Sequence, residues 1–254
     1  MPLAPFARQL WTGALDLVFA PVCLGCGQPV PTSETERLVC RMCWMRCRPL
    51  PVPRCARCWA PVDADREPQP VCRMCEEWPP SVRAVRAPFA MGEVPRALVH
   101  ALKYGGWEAV ARPMGERMAA TEWPKDVMDE ARLVVPVPAS AARRRERGYN
   151  QAERLAAAFA KKTGRVMDAT LLVRTRATAT QTALRPSERR ANVARAFATP
   201  PERAAILRGR HVILVDDVWT TGATALSCAE ALREAGARVV SVATFARVVP
   251  ELER

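Results

Sequence analysis

Beyond residue 80 the chain alternates short apolar runs with stretches whose apolar side chains recur every three or four positions. Brief apolar runs bounded by turn formers predict buried strands, and the longer periodicity predicts amphipathic helices. Strands are expected at residues 83–89, 133–138, 169–174, 212–215 and 238–246. Helices are expected at 94–103, 107–120, 150–162, 189–197 and 224–235. Strands that alternate with helices specify an α/β fold with a mainly parallel sheet and helices on both faces. Before residue 80 the pattern differs. Leu10, Ala14, Leu15, Leu17 and Val18 fall on one face of a short amphipathic helix within residues 1–20. Residues 21–80 are rich in Pro, Gly, Asp and Glu, and the composition changes at Trp78, Pro79 and Pro80. The organisation expected is therefore a helix at 1–20, a small unit at 21–80 and the α/β domain at 81–254.

The small unit cannot bury enough apolar surface to fold unaided and needs a staple. Nine of the ten cysteines lie before residue 76, and eight of them form a repeat. Cys23, Cys26, Cys40 and Cys43 have the same spacing as Cys55, Cys58, Cys72 and Cys75, displaced by 32 residues. Val39-Cys40-Arg41-Met42-Cys43 recurs letter for letter as Val71-Cys72-Arg73-Met74-Cys75. A fixed period means two copies of one unit. Paired C-x2-C knuckles supply the tetrahedral thiolate shell of zinc, so two structural zinc sites are expected. Consecutive and interleaved pairing of the knuckles use the same eight residues. A closed four-thiolate shell leaves no coordination position for substrate. Cys47 breaks the repeat and reads as a spare thiol, Cys228 as helix core. His100 and His211 have no metal-ligand spacing to a neighbour.

A hydrophobic content of 49% argues against a disordered chain, and the net charge of +12 favours polyanionic ligands or solubility alike. No apolar stretch is long enough to span a membrane. The first twenty residues are interrupted by Arg8, Gln9, Thr12, Gly13 and Asp16, unlike a signal peptide, so a cytoplasmic location without membrane insertion is expected.

The densest chemistry lies at residues 212–224. A buried strand ends in Asp216 and Asp217, and Thr220, Thr221, Gly222, Ala223 and Thr224 then turn into a helix. Open α/β sheets bind ligands at the carboxyl ends of their strands. Backbone amides and hydroxyls at a helix start cradle a phosphate, with glycine permitting close approach. The acid pair can accept hydrogen bonds from vicinal ribose hydroxyls or hold Mg²⁺ indirectly. A ribose 5-phosphate site is the expectation. Residues 143–147 form a second cluster, in which four arginines precede Tyr149. That cluster reads as a contact for pyrophosphate or for a nucleic-acid backbone, with Tyr149 stacking on a base, or as a solvated helix start.

The string from Val212 to Thr224 resembles the signature of the type I phosphoribosyltransferases, with Trp219 where a smaller aliphatic residue is usual. Val134, Val135, Pro136, Val137 and Pro138, continuing into Ala139 and Ser140, look like that family's pyrophosphate-contacting strand and loop. Residues 174–181, continuing through Leu184, Arg189, Arg190 and Asn192, look like its mobile loop. The chain as a whole resembles the ComF family, which joins an amino-terminal double zinc ribbon to a phosphoribosyltransferase-like, Rossmann-like domain. The cysteine pairs, Leu102-Lys103-Tyr104-Gly105 and Arg147-Gly148-Tyr149-Asn150-Gln151 carry that resemblance together with the two segments above.

The resemblance implies binding of 5-phosphoribosyl pyrophosphate with Mg²⁺. Val215, Thr220, Thr221, Gly222, Ala223, Thr224, Pro138 and Ala139 would hold the donor. Asp216 and Asp217 would hold the ribose, and Arg174, Arg189 and Arg190 would stabilise the departing pyrophosphate. It implies a part in natural transformation and DNA uptake. Two readings stay open: a transferase with an unknown acceptor, and a non-catalytic sensor that binds single-stranded DNA or a competence helicase.

Overall fold

In the computed structural model the described residues are 21–31, 33, 34, 36–63, 71–175 and 196–249. The expected helix at 1–20, Arg189, Arg190 and most of the expected helix at 189–197 lie outside them.

The elements run in order α1 (Arg41–Arg46), β1 (Val82–Arg86), β2 (Phe89–Ala90), α2 (Glu93–Tyr104), α3 (Ala111–Ala119), α4 (Lys125–Glu130) and β3 (Leu133–Pro136). They continue as α5 (Ala141–Arg147), α6 (Gln151–Thr163), β4 (Val166–Met167), β5 (Val173–Arg174) and β6 (Phe197–Ala198). The chain then forms α7 (Ala204–Leu207), β7 (His211–Trp219), α8 (Ala223–Glu234) and β8 (Val239–Arg247). The main sheet has the order β1-β8-β7-β3-β4, with β2 also on β8, and every pairing in it is parallel. The α/β reading holds.

Its central strand shows why an all-apolar run is needed. Ile213 and Val215 face a core built with α2, α3 and α6, which contribute Leu98, Leu102, Met114, Leu155 and Phe159. Val212 and Leu214 face the opposite core, where Cys228, Ala229 and Leu232 of α8 pack beside Leu207. Alternate residues of a strand point to opposite faces, so a strand covered on both sides must be apolar at each position. Cys228 is core, as read. His211 is buried as well, its Nε2 2.9 Å from Ser241 Oγ.

Four local expectations are corrected. The strand at 83–89 divides at Ala87 and Pro88, because proline lacks the donor a continuous ladder requires. Residues 108–110 form a 3₁₀ turn ahead of α3. The strand at 169–174 reduces to β5, which pairs antiparallel with β6 away from the main sheet. Leu171 and Leu172 are apolar because they enter the α8-side core, and Phe197, expected in a helix, lies in β6. The loop after β3 contains α5, capped by the Ser140 hydroxyl, which accepts from the Arg143 amide at 3.2 Å.

Candidate functional site: a strand end, an acid pair and an open loop

The central strand does not stop before the acid pair. β7 stays in register with β8 to its end, with Asp216 opposite Thr244, Val218 opposite Ala246 and Trp219 opposite Arg247. The two carboxyl groups are therefore fixed within a paired strand rather than on a turn. After Trp219 the chain leaves the sheet and turns at Gly222, whose φ of +79° is left-handed, into α8. A Cβ at Gly222 would lie 2.2 Å from Trp219 Cζ2, so the backbone rests directly on the indole. The large residue at 219 is thus the buried floor of the loop, and glycine is what lets the loop sit on it.

Among the described residues, the amides of Thr220, Thr221 and Gly222 make no backbone hydrogen bond. The Ala223 amide donates to Thr221 Oγ1 at 3.4 Å. Amides left open ahead of a helix of twelve residues are donors available to an anion. The loop borders a cavity of ≈ 260 Å³ lined by Asp216, Asp217, Thr220, Gly222, Ala223 and Thr224, with Lys103 and Thr244 from neighbouring elements.

Lys103, at the end of α2, forms an ion pair with Asp217. Their side chains are 24% and 6% exposed. Burial alone favours a neutral Asp217, but the Lys103 ammonium outweighs it and holds that carboxyl below the ordinary range. Burial followed by the adjacent Asp217 charge pushes Asp216 well up. The Asp217 amide donates to Asp216 Oδ1 at 2.8 Å. Burial likewise opposes charge on Lys103, and Asp217 reverses that, raising its pKa. Burial and the adjacent charge thus disfavour ionisation of Asp216, while the Lys103 ammonium sits as counter-ion on Asp217.

The remaining donor-site candidates lie around this centre. Val215 is buried in β7 below the acid pair. Pro138 and Ala139 follow β3, half-buried and outside the cavity lining. The Val137 amide, donating to Val215 O at 2.9 Å, keeps that end of the chain beside β7. Thr221 is exposed on the loop and outside the lining. Arg174 sits on β5 with its guanidinium 5.5 Å from the Phe197 ring, also outside the lining. Sequence reasoning missed Lys103 and Thr244. Lys103 belongs to a string already singled out, but no spacing rule connects it to an acid pair on a distant strand.

The second cluster resolves differently from the nucleic-acid expectation at one residue. Tyr149 is buried, and its hydroxyl donates to the Leu102 carbonyl. That carbonyl is among the last of α2, which lack partners within their own helix. Tyr149 is thus a helix-end tie and cannot stack on a base. Tyr149→Phe is expected to destabilise the fold by about 1–3 kcal/mol by leaving the buried carbonyl unpaired. A thermal melt that matches the parent would contradict this. The exposed aromatic here is Tyr104, 52% accessible, with Arg143 Nη1 3.2 Å from its hydroxyl and the Arg147 guanidinium 4.9 Å from its ring.

The eight repeat cysteines gather into two groups, Cys23, Cys26, Cys40 and Cys43, and Cys55, Cys58, Cys72 and Cys75. Within each, all sulfurs lie within 4.8 Å of one another, so the consecutive pairing is the one adopted. Tetrahedral zinc with Zn–S of ~2.3 Å requires sulfurs about 3.8 Å apart. The Cys55–Cys75, Cys58–Cys72 and Cys72–Cys75 separations are 3.7, 3.5 and 3.8 Å. Backbone amides donate to the thiol sulfurs, as from Cys40 to Cys23 at 3.2 Å. The residue after the second cysteine has φ of +71° at Gly27 and +63° at Trp59, so both knuckles make the same turn. These are structural zinc sites. Cys47 stands apart from both, buried against the first group.

The second ribbon touches the floor of the loop. Arg247 Nη1 donates to the Cys58 carbonyl at 2.7 Å, and its guanidinium lies 5.6 Å from the Trp219 ring. Trp78 also packs on that ring, 5.0 Å between centroids.

Comparison with known proteins agrees with both halves. Residues 146–251 match the phosphoribosyl transferase domain, and residues 14–76 match the double zinc ribbon domain. The DNA utilization protein YhgH of Escherichia coli O157:H7 is 35% identical over 116 residues, 46% of this chain and 49% of that protein. The chain thus spans about half the length of the curated relatives it matches. The orotate phosphoribosyltransferase of Streptomyces coelicolor is 55% identical over 39 residues, 15% of this chain and 21% of the enzyme. The glutamine phosphoribosylpyrophosphate amidotransferase of B. subtilis overlaps 53% of this chain and 26% of its own, at 23% identity and a TM-score of 0.36. With two four-cysteine centres ahead of a parallel sheet, the chain joins a match to the double zinc ribbon domain to a match to the phosphoribosyl transferase domain, and it is 35% identical to YhgH over 116 residues.

Proposed function

We propose that the cavity at the end of β7 binds 5-phosphoribosyl pyrophosphate with Mg²⁺ and that the protein transfers the phosphoribosyl group to a nitrogen nucleophile. The observation that carries this reading is that Thr220, Gly222, Ala223 and Thr224 of the loop and helix start line one cavity together with the rigid acid pair. The loop takes the 5-phosphate, with Thr224 at the start of α8. Asp216 and Asp217 accept the ribose hydroxyls. The nitrogen lone pair attacks C1 of the ribose, the C1–O bond breaks, and pyrophosphate leaves with the bonding electrons. The nitrogen releases its proton to solvent. Such transfer passes through an oxocarbenium-like state, so the protein positions and stabilises charge rather than forming bonds itself. Mg²⁺ on the pyrophosphate neutralises its charge when bound. Arg174, Arg189 and Arg190 remain candidates for the leaving group, and Pro138 and Ala139 for the neighbouring backbone. The resemblance to a DNA utilization protein supports a cellular role in competence and DNA uptake.

A second reading is favoured by α5, which buries none of its residues and presents Arg143, Arg144, Arg145 and Arg147. In it the donor site is a sensor, and the protein binds single-stranded DNA or a competence helicase. Pyrophosphate release by the purified protein, given donor, Mg²⁺ and a panel of nucleobases, separates the two. Turnover supports the transferase, whereas donor binding without turnover supports the sensor. Asp217→Asn is expected to weaken donor binding about ten-fold or more, the scale of a charge-assisted hydrogen bond, with zinc content unchanged. Failure of the parent protein to bind the donor at all would overturn both readings.

A further inference from the structure

Lys103 is the one cationic side chain that lines the cavity among the described residues. It is three-quarters buried and held by Asp217, which is itself almost wholly enclosed. Its position is fixed by α2, whose Val94, Leu98, Val99 and Leu102 pack against the sheet, so the last turn is delivered to the strand edge as a rigid arm. A buried ammonium with a single carboxylate partner is a costly arrangement unless the charge has a use. A ligand whose hydroxyls take over the Asp217 carboxylate leaves that ammonium without its counter-ion in a confined space. The nearest compensation it can then find is an anionic group of the ligand.

We propose that Lys103 is an exchangeable counter-ion: it neutralises Asp217 in the free protein and passes to the pyrophosphoryl group of the donor when the ribose occupies the acid pair. This assignment rests on the donor-site reading above and adds to it a residue that determines specificity. The 5-phosphate is served by the loop amides, which every phosphorylated ribose engages equally. Lys103 therefore separates a pyrophosphorylated ribose from ribose 5-phosphate, which has nothing to offer it at C1. No bond is made or broken in the exchange.

The test is the ratio of two affinities, measured by calorimetry on the full chain with Mg²⁺ present. In the parent, 5-phosphoribosyl pyrophosphate binds more tightly than ribose 5-phosphate. Lys103→Gln is expected to weaken the pyrophosphorylated ligand about ten-fold or more and ribose 5-phosphate by less than about three-fold, so the ratio collapses. Lys103→Arg keeps a cation on the same arm and should retain most of the ratio. It serves as the independent readout if the glutamine variant melts early or loses zinc. A role confined to neutralising Asp217 would shift both ligands by the same factor, and that result overturns the proposal, as does an unchanged ratio. If the parent binds neither ligand, the donor-site reading itself has failed. If the parent discriminates and both variants discriminate equally, only the exchange is wrong.

Discussion

Gly222→Ala is expected to abolish donor binding and to destabilise the protein by about 3 kcal/mol or more. Two costs add. The position has φ of +79°, which costs an ordinary L-residue about 1–2 kcal/mol. The new methyl would also sit 2.2 Å from Trp219 Cζ2, 2.7 Å from Cη2 and 2.8 Å from Cε2. The indole cannot withdraw, because Trp78 packs 5.0 Å from it and the Arg247 guanidinium lies 5.6 Å away. The loop must lift instead, and Thr220 and Gly222 leave their places in the cavity lining. Gly209→Ala is the matched control: its φ is also positive, at +68°, but nothing lies within 4 Å of the added carbon. That variant should lose only the conformational part, about 1–2 kcal/mol, and keep donor affinity. Thermal unfolding with calorimetric titration measures both quantities. Equal effects of the two substitutions would show that the contact with Trp219 does not shape the loop.

Removal of zinc should unfold the two ribbons together with Trp78 behind the second, and weaken donor binding with them. Each four-thiolate site contributes ~10–16 kcal/mol in isolated zinc peptides, comparable to the total stability of an ordinary domain. In the second ribbon Ala60, Val62, Val71 and Trp78 gather on its cysteines, while Trp59 packs apart from them with Leu50, Ala87, Ala90 and Val249. Nothing in that cluster replaces the metal. The consequence reaches the loop because three arginines of the sheet and ribbon join the two parts. Arg247 donates to Cys58 O, Arg86 Nη2 to Ala56 O at 2.9 Å, and Arg57 Nε to Val82 O at 2.9 Å. Once the ribbon unfolds, Trp78 no longer packs on Trp219 and the floor of the loop is free to move. Hydrogen exchange after verified chelation is the measurement. Retained protection of residues 40–58 would contradict the first part, and parent-like donor affinity in the zinc-free protein would contradict the second.

Elements that owe their form to local pattern were legible. The alternation of apolar runs and amphipathic stretches placed α2, α6, α8 and the four long strands of the sheet within a few residues. Cysteine spacing specified both metal centres because a thiolate pair on one tight turn is a local feature. The elements that went astray are those whose partners lie far off in sequence. Leu171 and Leu172 look like a strand of the main sheet, but they fill the core beneath α8 while β5 pairs with β6. Tyr149, next to an arginine cluster, looks like a stacking platform, yet its hydroxyl completes α2. Trp219, a departure from a familiar string, is the surface on which Gly222 rests.

By itself the sequence determined that this protein has a parallel α/β sheet, two four-cysteine centres, and an acid pair followed by a glycine-containing loop at a helix start. Each of these is encoded within a few turns of chain, where the side-chain period or the ligand spacing is the constraint. Tertiary structure alone decided which knuckles pair, which cation faces Asp217, and what lies under the loop. Those contacts join residues from separate elements, and their energies come from burial and enclosure. A lysine is an ordinary surface charge on an isolated helix; only packing of α2 against the sheet encloses Lys103 with a carboxylate and gives its charge a fixed place.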